Sequence, residues 1–293
     1  MSGWSGVRWW SALALIGLAG CHLFNLTPPE NDKLVQNAGK EQTPAAPAKH
    51  SFPLTQFVFR SELDLKPDQP LFKELSDLRD QVYRDLQLPP SNTPVQVYIF
   101  EDREHYERFM HAKYPDLPRR RAFFVAQPRS VGGAEDLLVY TFWGDRIQED
   151  LRHELTHAIL HSVLKDVPLW LDEGLAEYFE VPPGSGGVNQ HHLALLRREP
   201  FTSDLGRLEQ LSQVQQMAPG EYREAWAWVH LMLRDRPEAK TVLLNYLQQL
   251  RTNSAPGPLE PHLAAVFPSP AKALERHLAQ LEASLPPGPT AQR

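Results

Sequence analysis

Apolar residues recur at three- and four-residue intervals from Leu71 to Leu86, at Leu71, Leu75, Leu78, Val82 and Leu86, which predicts an amphipathic helix over 71–87. Ahead of it, Gln56 to Leu65 alternates apolar and polar positions with Phe57, Phe59, Leu63 and Leu65 on one side, the pattern of a strand. Val95 to Phe100 predicts a second strand, and Asp102 is placed to cap a helix running to about His111. Two apolar runs, Ala122 to Ala126 and Leu137 to Phe142, flank a turn-rich stretch containing Pro128, Gly132 and Gly133 and predict a hairpin. Asp145 followed by Gln148 has the form of a capping box, opening a helix with Ile147, Leu151, Leu155, Ala158 and Ile159 as its apolar stripe. Beyond residue 200 no strand pattern recurs, and 204–217, 221–235, 237–252 and 269–284 read as helical, with Pro256 to Pro261 as a loop. The expected fold is α+β: a mixed α/β part over 52–181, a helical part over 182–285, and a disordered tail over 286–293.

The first fifty residues read differently. Arg8 precedes an apolar run from Ala12 to Ala19, too short to span a bilayer but suited to the hydrophobic part of a signal peptide over 1–20. The chain has a single cysteine, Cys21, so it folds without intramolecular disulfides. Leu18-Ala19-Gly20-Cys21 resembles the lipobox of bacterial lipoproteins. That resemblance implies cleavage before Cys21, lipid on its thiol, and anchorage in the bacterial cell envelope, facing the periplasm or the outside. Each buried acyl methylene would contribute about 0.8 kcal/mol. Residues 21–51, rich in Pro, Ala, Asn, Gln and Lys, then predict a flexible tether. The net charge of -6 and the lack of a long basic stretch exclude nucleic acid as a partner, while 42% hydrophobic residues are enough for a core. Oligomeric state is not encoded in any feature of the sequence.

The chemistry centres on His153-Glu154-Leu155-Thr156-His157 within the capped helix. Four residues advance a helix by about 400° and about 6 Å, so the two imidazoles share a face and can reach one ion at about 2.0–2.1 Å. Glu154 lies about 100° around from His153, beside the ion, where a carboxylate can take a proton from a water on the metal. Leu160 and Leu164 extend the histidine side with apolar residues, so this face points inward. His161 continues the series but lies about 12 Å from His153 along the axis and is expected to be structural.

Two imidazoles leave a tetrahedral ion short of a ligand. A metzincin would need histidine at 163 and glycine at 160; these are Val163 and Leu160, and that class is excluded. Pro168 to Phe179 predicts a second helix antiparallel to the first across the turn at Lys165 to Val167. It carries Glu173 and Glu177, four residues apart, and either can supply the third ligand. Gly174 between them either allows close helix approach or is merely tolerated.

The pair of motifs, His153-Glu-Leu-Thr-His157 with Trp170-Leu-Asp-Glu173-Gly-Leu-Ala-Glu177-Tyr-Phe179, resembles the gluzincins, specifically the bacterial peptidase-MA-like proteins with a W-L-x-E-G-L-A-E-Y-F signature. The resemblance implies a zincin-like fold and one Zn2+ per chain. By it, Glu173 is the third ligand, and Glu177 the carboxylate that orients a liganding imidazole. It implies an endopeptidase acting on a peptide or protein substrate, since the G-x-M-E-N loop of the aminopeptidase branch is absent. A non-catalytic envelope lipoprotein used for binding or scaffolding, and a hydrolase of cell-wall amides, are the competing readings; intact Glu154 argues against the first.

The oxyanion of amide hydrolysis needs a donor besides the metal. Tyr222 leads and His230 follows as candidates on the helix over 221–235, against packed-core roles for both. The strand Leu137 to Phe142 is expected as a sheet edge that pairs with extended substrate. Arg119 to Arg121 either favour acidic substrates or form a solvated corner, and His191-His192 either gate the cleft or have no chemical part.

Overall fold

Phe57 and Phe59 are fully buried on alternate positions of one strand, and Phe52 and Phe72 close on Phe59 at ring-centroid distances of 5.2 and 4.9 Å. This aromatic cluster starts the core in a computed structural model that describes residues 44–128, 135–164, 166–198 and 203–284. The expected signal peptide, Cys21, most of the expected tether and the tail from 285 lie outside the described residues. The alternating stretch forms a hairpin: β1 (His50–Leu54) and β2 (Phe57–Ser61) pair antiparallel across a tight turn with Thr55 at φ 54°. The strand therefore stops at Ser61, short of Leu63 and Leu65, because the Ser61 hydroxyl accepts the Leu63 amide and turns the chain. Ordered structure starts within the segment read as tether, since β1 begins at His50.

The chain continues through α1 (Pro70–Asp85), β3 (Val95–Phe100), α2 (Arg103–Lys113), β4 (Ala122–Pro128) and β5 (Glu135–Phe142). Asp102 caps α2 as expected, accepting the His105 amide at 2.9 Å. The sheet order is β1-β2-β3-β5-β4, with β2, β3 and β5 parallel and the outer strands antiparallel. This corrects the placement of the edge. Leu137 to Phe142 pairs on both sides, and the edges are β1 and β4, of which β4 lies beside the helix over Ile147–His161. The unbroken apolar run of β5 is the mark of a strand buried on both faces. Phe124 and Val139 face the core under α1 and the helices that follow, while Phe123 and Tyr140 face a second core under α2.

Helices α3 (Ile147–His161) and α4 (Leu169–Glu180) form the antiparallel pair. No capping box opens α3: Asp145 pairs with Arg121 at 3.3 Å, and Gln148 donates to Glu74 on α1. Acidic Glu149 and Asp150 in the first turn still favour the helix dipole. The rest is helical, with α5 (Gln190–Arg198), α6 (Leu205–Glu209), α7 (Pro219–Arg234), α8 (Pro237–Leu250), α9 (Glu260–Ala264) and α10 (Pro270–Ser284). The expected helix over 204–217 is only α6 and a 3-10 turn at Val214–Gln216, and α9 begins within the stretch read as loop. The fold is α+β, as expected.

One buried cluster runs from Phe57 to Leu278, across the expected boundary at 181–182. Its centre is α7, buried from Glu224 to Leu233, against which α4 lies. Gly174 is the point of closest approach. A Cβ there would stand 2.7 Å from the Ala225 carbonyl oxygen, so glycine is required for α4 to reach α7, not for α4 to reach α3.

Candidate metal centre

Three elements hold the site: α3, α4 and the edge strand β4. Arg152, itself buried, fixes the first two by donating to the Glu180 backbone carbonyl at 3.1 Å and to Glu74 on α1 at 3.1 Å. Phe124 of β4 lies parallel to the rings of His157 and His161, at 6.2 and 5.4 Å. The imidazoles thus have their orientation set from both sides.

The structure brings His153, His157 and Glu173 together. Their atoms His153 Nε2, His157 Nε2 and Glu173 Oε2 stand 3.2, 3.6 and 3.7 Å apart. Ligands about 2.0–2.2 Å from one tetrahedral ion stand about 3.3–3.6 Å apart, so the triangle has the size such an ion needs. Glu173 has 0% exposure, and neither of its carboxylate oxygens has a hydrogen-bond partner. Burial pushes its pKa up, and the two facing imidazoles only partly offset this. A buried carboxylate left without a donor is costly unless a cation or proton joins it. The donor set of two imidazoles and one carboxylate, the orphaned oxygens and the triangle together fit a divalent cation such as zinc.

The far nitrogens of the two rings settle which face points inward. His157 Nδ1 lies 3.0 Å from Asp172 Oδ2, and His153 Nδ1 lies 3.0 Å from Glu180 Oε2. With a carboxylate at each Nδ1, the ring hydrogen belongs there and each Nε2 presents a lone pair to the centre. Glu177, expected to orient an imidazole, lies close to His153 and Glu180 and is also engaged by His192 Nε2 at 2.7 Å, while the carboxylates at the two Nδ1 atoms are Asp172 and Glu180. Asp172 also holds His161 at 3.1 Å, which gives that histidine its structural place. Although burial opposes it, the charges of His157 and His161 hold Asp172 well below the usual carboxylate range. Burial and the neighbouring Glu177 push Glu180 up, while His192 draws Glu177 down against its own burial.

Glu154 is buried beside the triangle and lines a cavity of about 250 Å³ with His153, Ala122, Asp150 and Glu180. A second cavity of about 350 Å³, which also includes His153, is lined by Arg120, Glu177, His191, His192, Tyr222 and Arg223, among others. Tyr222 therefore opens onto the site, and its hydroxyl accepts from Arg120 Nη2 at 3.4 Å. His230 does not. It is buried between Tyr178 and Trp226 and hydrogen-bonded to His277 at 2.9 Å, and burial draws its pKa down to about 3. A neutral histidine enclosed in this way is a core residue, which removes it as an oxyanion donor.

Four residues of the site were not singled out for these roles by sequence reasoning: Asp172, Glu180, His192 and Arg120. Two of them carry a signal. Asp172 and Glu180 are eight residues apart, as are His153 and His161 on the antiparallel partner, so each acidic residue meets the histidine at its own end. Residues 148–259, from the first turn of α3 to the threshold of α9, match the family described as "Protein of unknown function (DUF1570)". No curated protein matches the sequence. The matched span includes all three triangle residues and Tyr222 but not β4 or Arg120.

Loss of the carboxylate behind a liganding imidazole weakens metal binding by about 10- to 100-fold. Asp172→Asn is accordingly expected to lower zinc affinity by that range in a chelator-competition titration, and Glu177→Gln to change it by less than about threefold. The reverse ranking would restore Glu177 as the orienting group.

Proposed function

We propose that this chain is a zinc-dependent metallohydrolase of gluzincin type, an endopeptidase of the bacterial cell envelope. The observation that carries this reading is the fully buried, donor-less Glu173 carboxylate facing two imidazole nitrogens at the spacing of tetrahedral ligands. His153, His157 and Glu173 would hold one zinc, which when bound supplies a Lewis acid and lowers the pKa of a coordinated water toward about 7. Glu154 stands beside the ligands, facing the cavity, where its carboxylate would take the proton from the attacking water and deliver it to the leaving amine. Tyr222, which lines the neighbouring cavity that also includes His153, would donate to the developing oxyanion. The edge of β4, which packs against α3, would offer backbone groups to an extended peptide, a role expected for β5. An edge suited to a peptide favours a peptidase over other hydrolases.

The Glu154→Gln protein should keep one zinc per chain and lose at least about 100-fold of its hydrolysis of a casein or quenched-peptide mixture. A variant as active as the wild type would overturn the assignment of the base, and a zinc-loaded wild type inert toward every peptide would overturn the peptidase.

Lipid attachment at Cys21 would place this activity on the envelope membrane. Among the described residues no helix is long and apolar enough to cross a membrane. The Cys21→Ala protein is expected to leave the membrane fraction on cell lysis; retention there would contradict the lipid anchor.

A further inference from the structure

The first turn of α5 meets α4 at Glu177 and Glu180, the acidic residues beside His153. Those two stand three residues apart on α4, about one helical turn, and Asn189 and His192 have the same spacing at the start of α5. The pairs match. His192 Nε2 lies 2.7 Å from Glu177 Oε2, and Asn189 Nδ2 donates to Glu180 Oε1 at 2.9 Å. The other oxygen of Glu180, Oε2, lies 3.0 Å from His153 Nδ1. A glutamate carboxylate otherwise turns broadly about its terminal bond, but one held through both oxygens does not. The Asn189 amide therefore sets the plane in which Glu180 meets the imidazole.

Asn189 is itself fixed. Its Oδ1 accepts the His192 backbone amide at 3.1 Å, so it caps α5. A backbone N–H only donates, which keeps the amide oxygen on the helix and the amide nitrogen on Glu180. The residue is buried, and the chain is tied down on either side of it. Trp226 Nε1 of α7 donates to the Gly187 carbonyl at 2.9 Å, and Leu193 joins the core. Gly187 has φ 82°, and a Cβ there would overlap the Tyr178 ring, so this approach requires glycine. Of the good capping residues, aspartate would turn a second anion toward Glu180, and serine and threonine end one bond short of it. Asparagine both caps and donates. We propose that Asn189 is a positioning residue of the metal centre, acting through Glu180 to hold the His153 ring with Nε2 toward the ion. This rests on the zinc reading of His153, His157 and Glu173.

The test is a double-mutant cycle on the full chain with three readouts: zinc affinity by chelator competition, the visible spectrum of cobalt bound in place of zinc, and the thermal midpoint of the metal-free protein. Glu180→Ala should weaken zinc binding by about 10- to 100-fold. Asn189→Ser keeps a capping oxygen on α5, so the metal-free midpoint should stay within about 2 °C of the wild type. Its zinc affinity should nevertheless fall by about three- to tenfold, one step further from the metal than Glu180, and the cobalt spectrum should shift. Asn189→Thr, a second variant that keeps the cap, should behave alike. Added to Glu180→Ala, Asn189→Ser should cost less than about twofold more, because the path through Glu180 is already gone. A purely structural asparagine would lose the same affinity in both backgrounds. That result, or a zinc-loaded wild type whose affinity and cobalt spectrum survive both Asn189 variants, overturns the proposal and leaves the metal centre standing. A wild type that takes up no zinc overturns the metal centre, and the proposal with it.

Discussion

The burial of the Glu173 carboxylate constrains the rest of this structure. Placing an ionised group at 0% exposure with no hydrogen-bond donor costs several kcal/mol, and the two facing imidazoles offset this only in part. The surrounding residues hold it in place. Gly174 lets α4 press against α7 immediately beyond it, Arg152 fixes the end of α4 to α3, and Phe124 of β4 covers the imidazoles opposite. A site left locally unfavourable by an otherwise well-packed scaffold is the signature of a group waiting for a partner, and here the partner that fits is a cation.

The same helices set the tautomers. In an antiparallel pair, Asp172 and Glu180 meet the Nδ1 atoms of His157 and His153, so both Nε2 lone pairs turn toward Glu173. Around this centre the fold separates functions. Of the sheet's two edges, β1 and β4, it is β4 that lies beside α3, while the start of α7 and the histidines of α5 line the neighbouring cavity. Arg120, which precedes β4, lines both cavities that include His153, so the edge strand and these cavities meet at one residue.

Much of this was legible in the sequence, for physical reasons. The i,i+4 histidines and the glutamate beside them follow from helical pitch, and the α+β layout follows from period-two and period-3.6 patterning that tertiary packing reinforces. Glu173 was one of two acceptable carboxylates, and the structure distinguishes them by burial. What was not legible depends on pairing between distant segments. An apolar run such as Leu137 to Phe142 does not state how many neighbours it has, so β5 was read as an edge when it is enclosed by β3 and β4. His230 has the residue type of a catalyst, but its partner, His277, lies 47 residues on in α10. The carboxylates at the two Nδ1 atoms, Asp172 and Glu180, and the contact of Glu177 with His192 from the helix that follows depend on such pairing and were not foreseen.

The central claim is that Glu173 is buried to bind a metal with His153 and His157. Zinc stoichiometry of the reconstituted full chain, with X-ray absorption at the zinc edge, tests it most directly. The account predicts one zinc per chain with two imidazoles and a carboxylate oxygen at about 2.0–2.2 Å, and loss of that zinc in Glu173→Ala. A wild-type chain that takes up no zinc, or a Glu173→Ala chain that binds it with unchanged affinity and spectrum, would contradict the account.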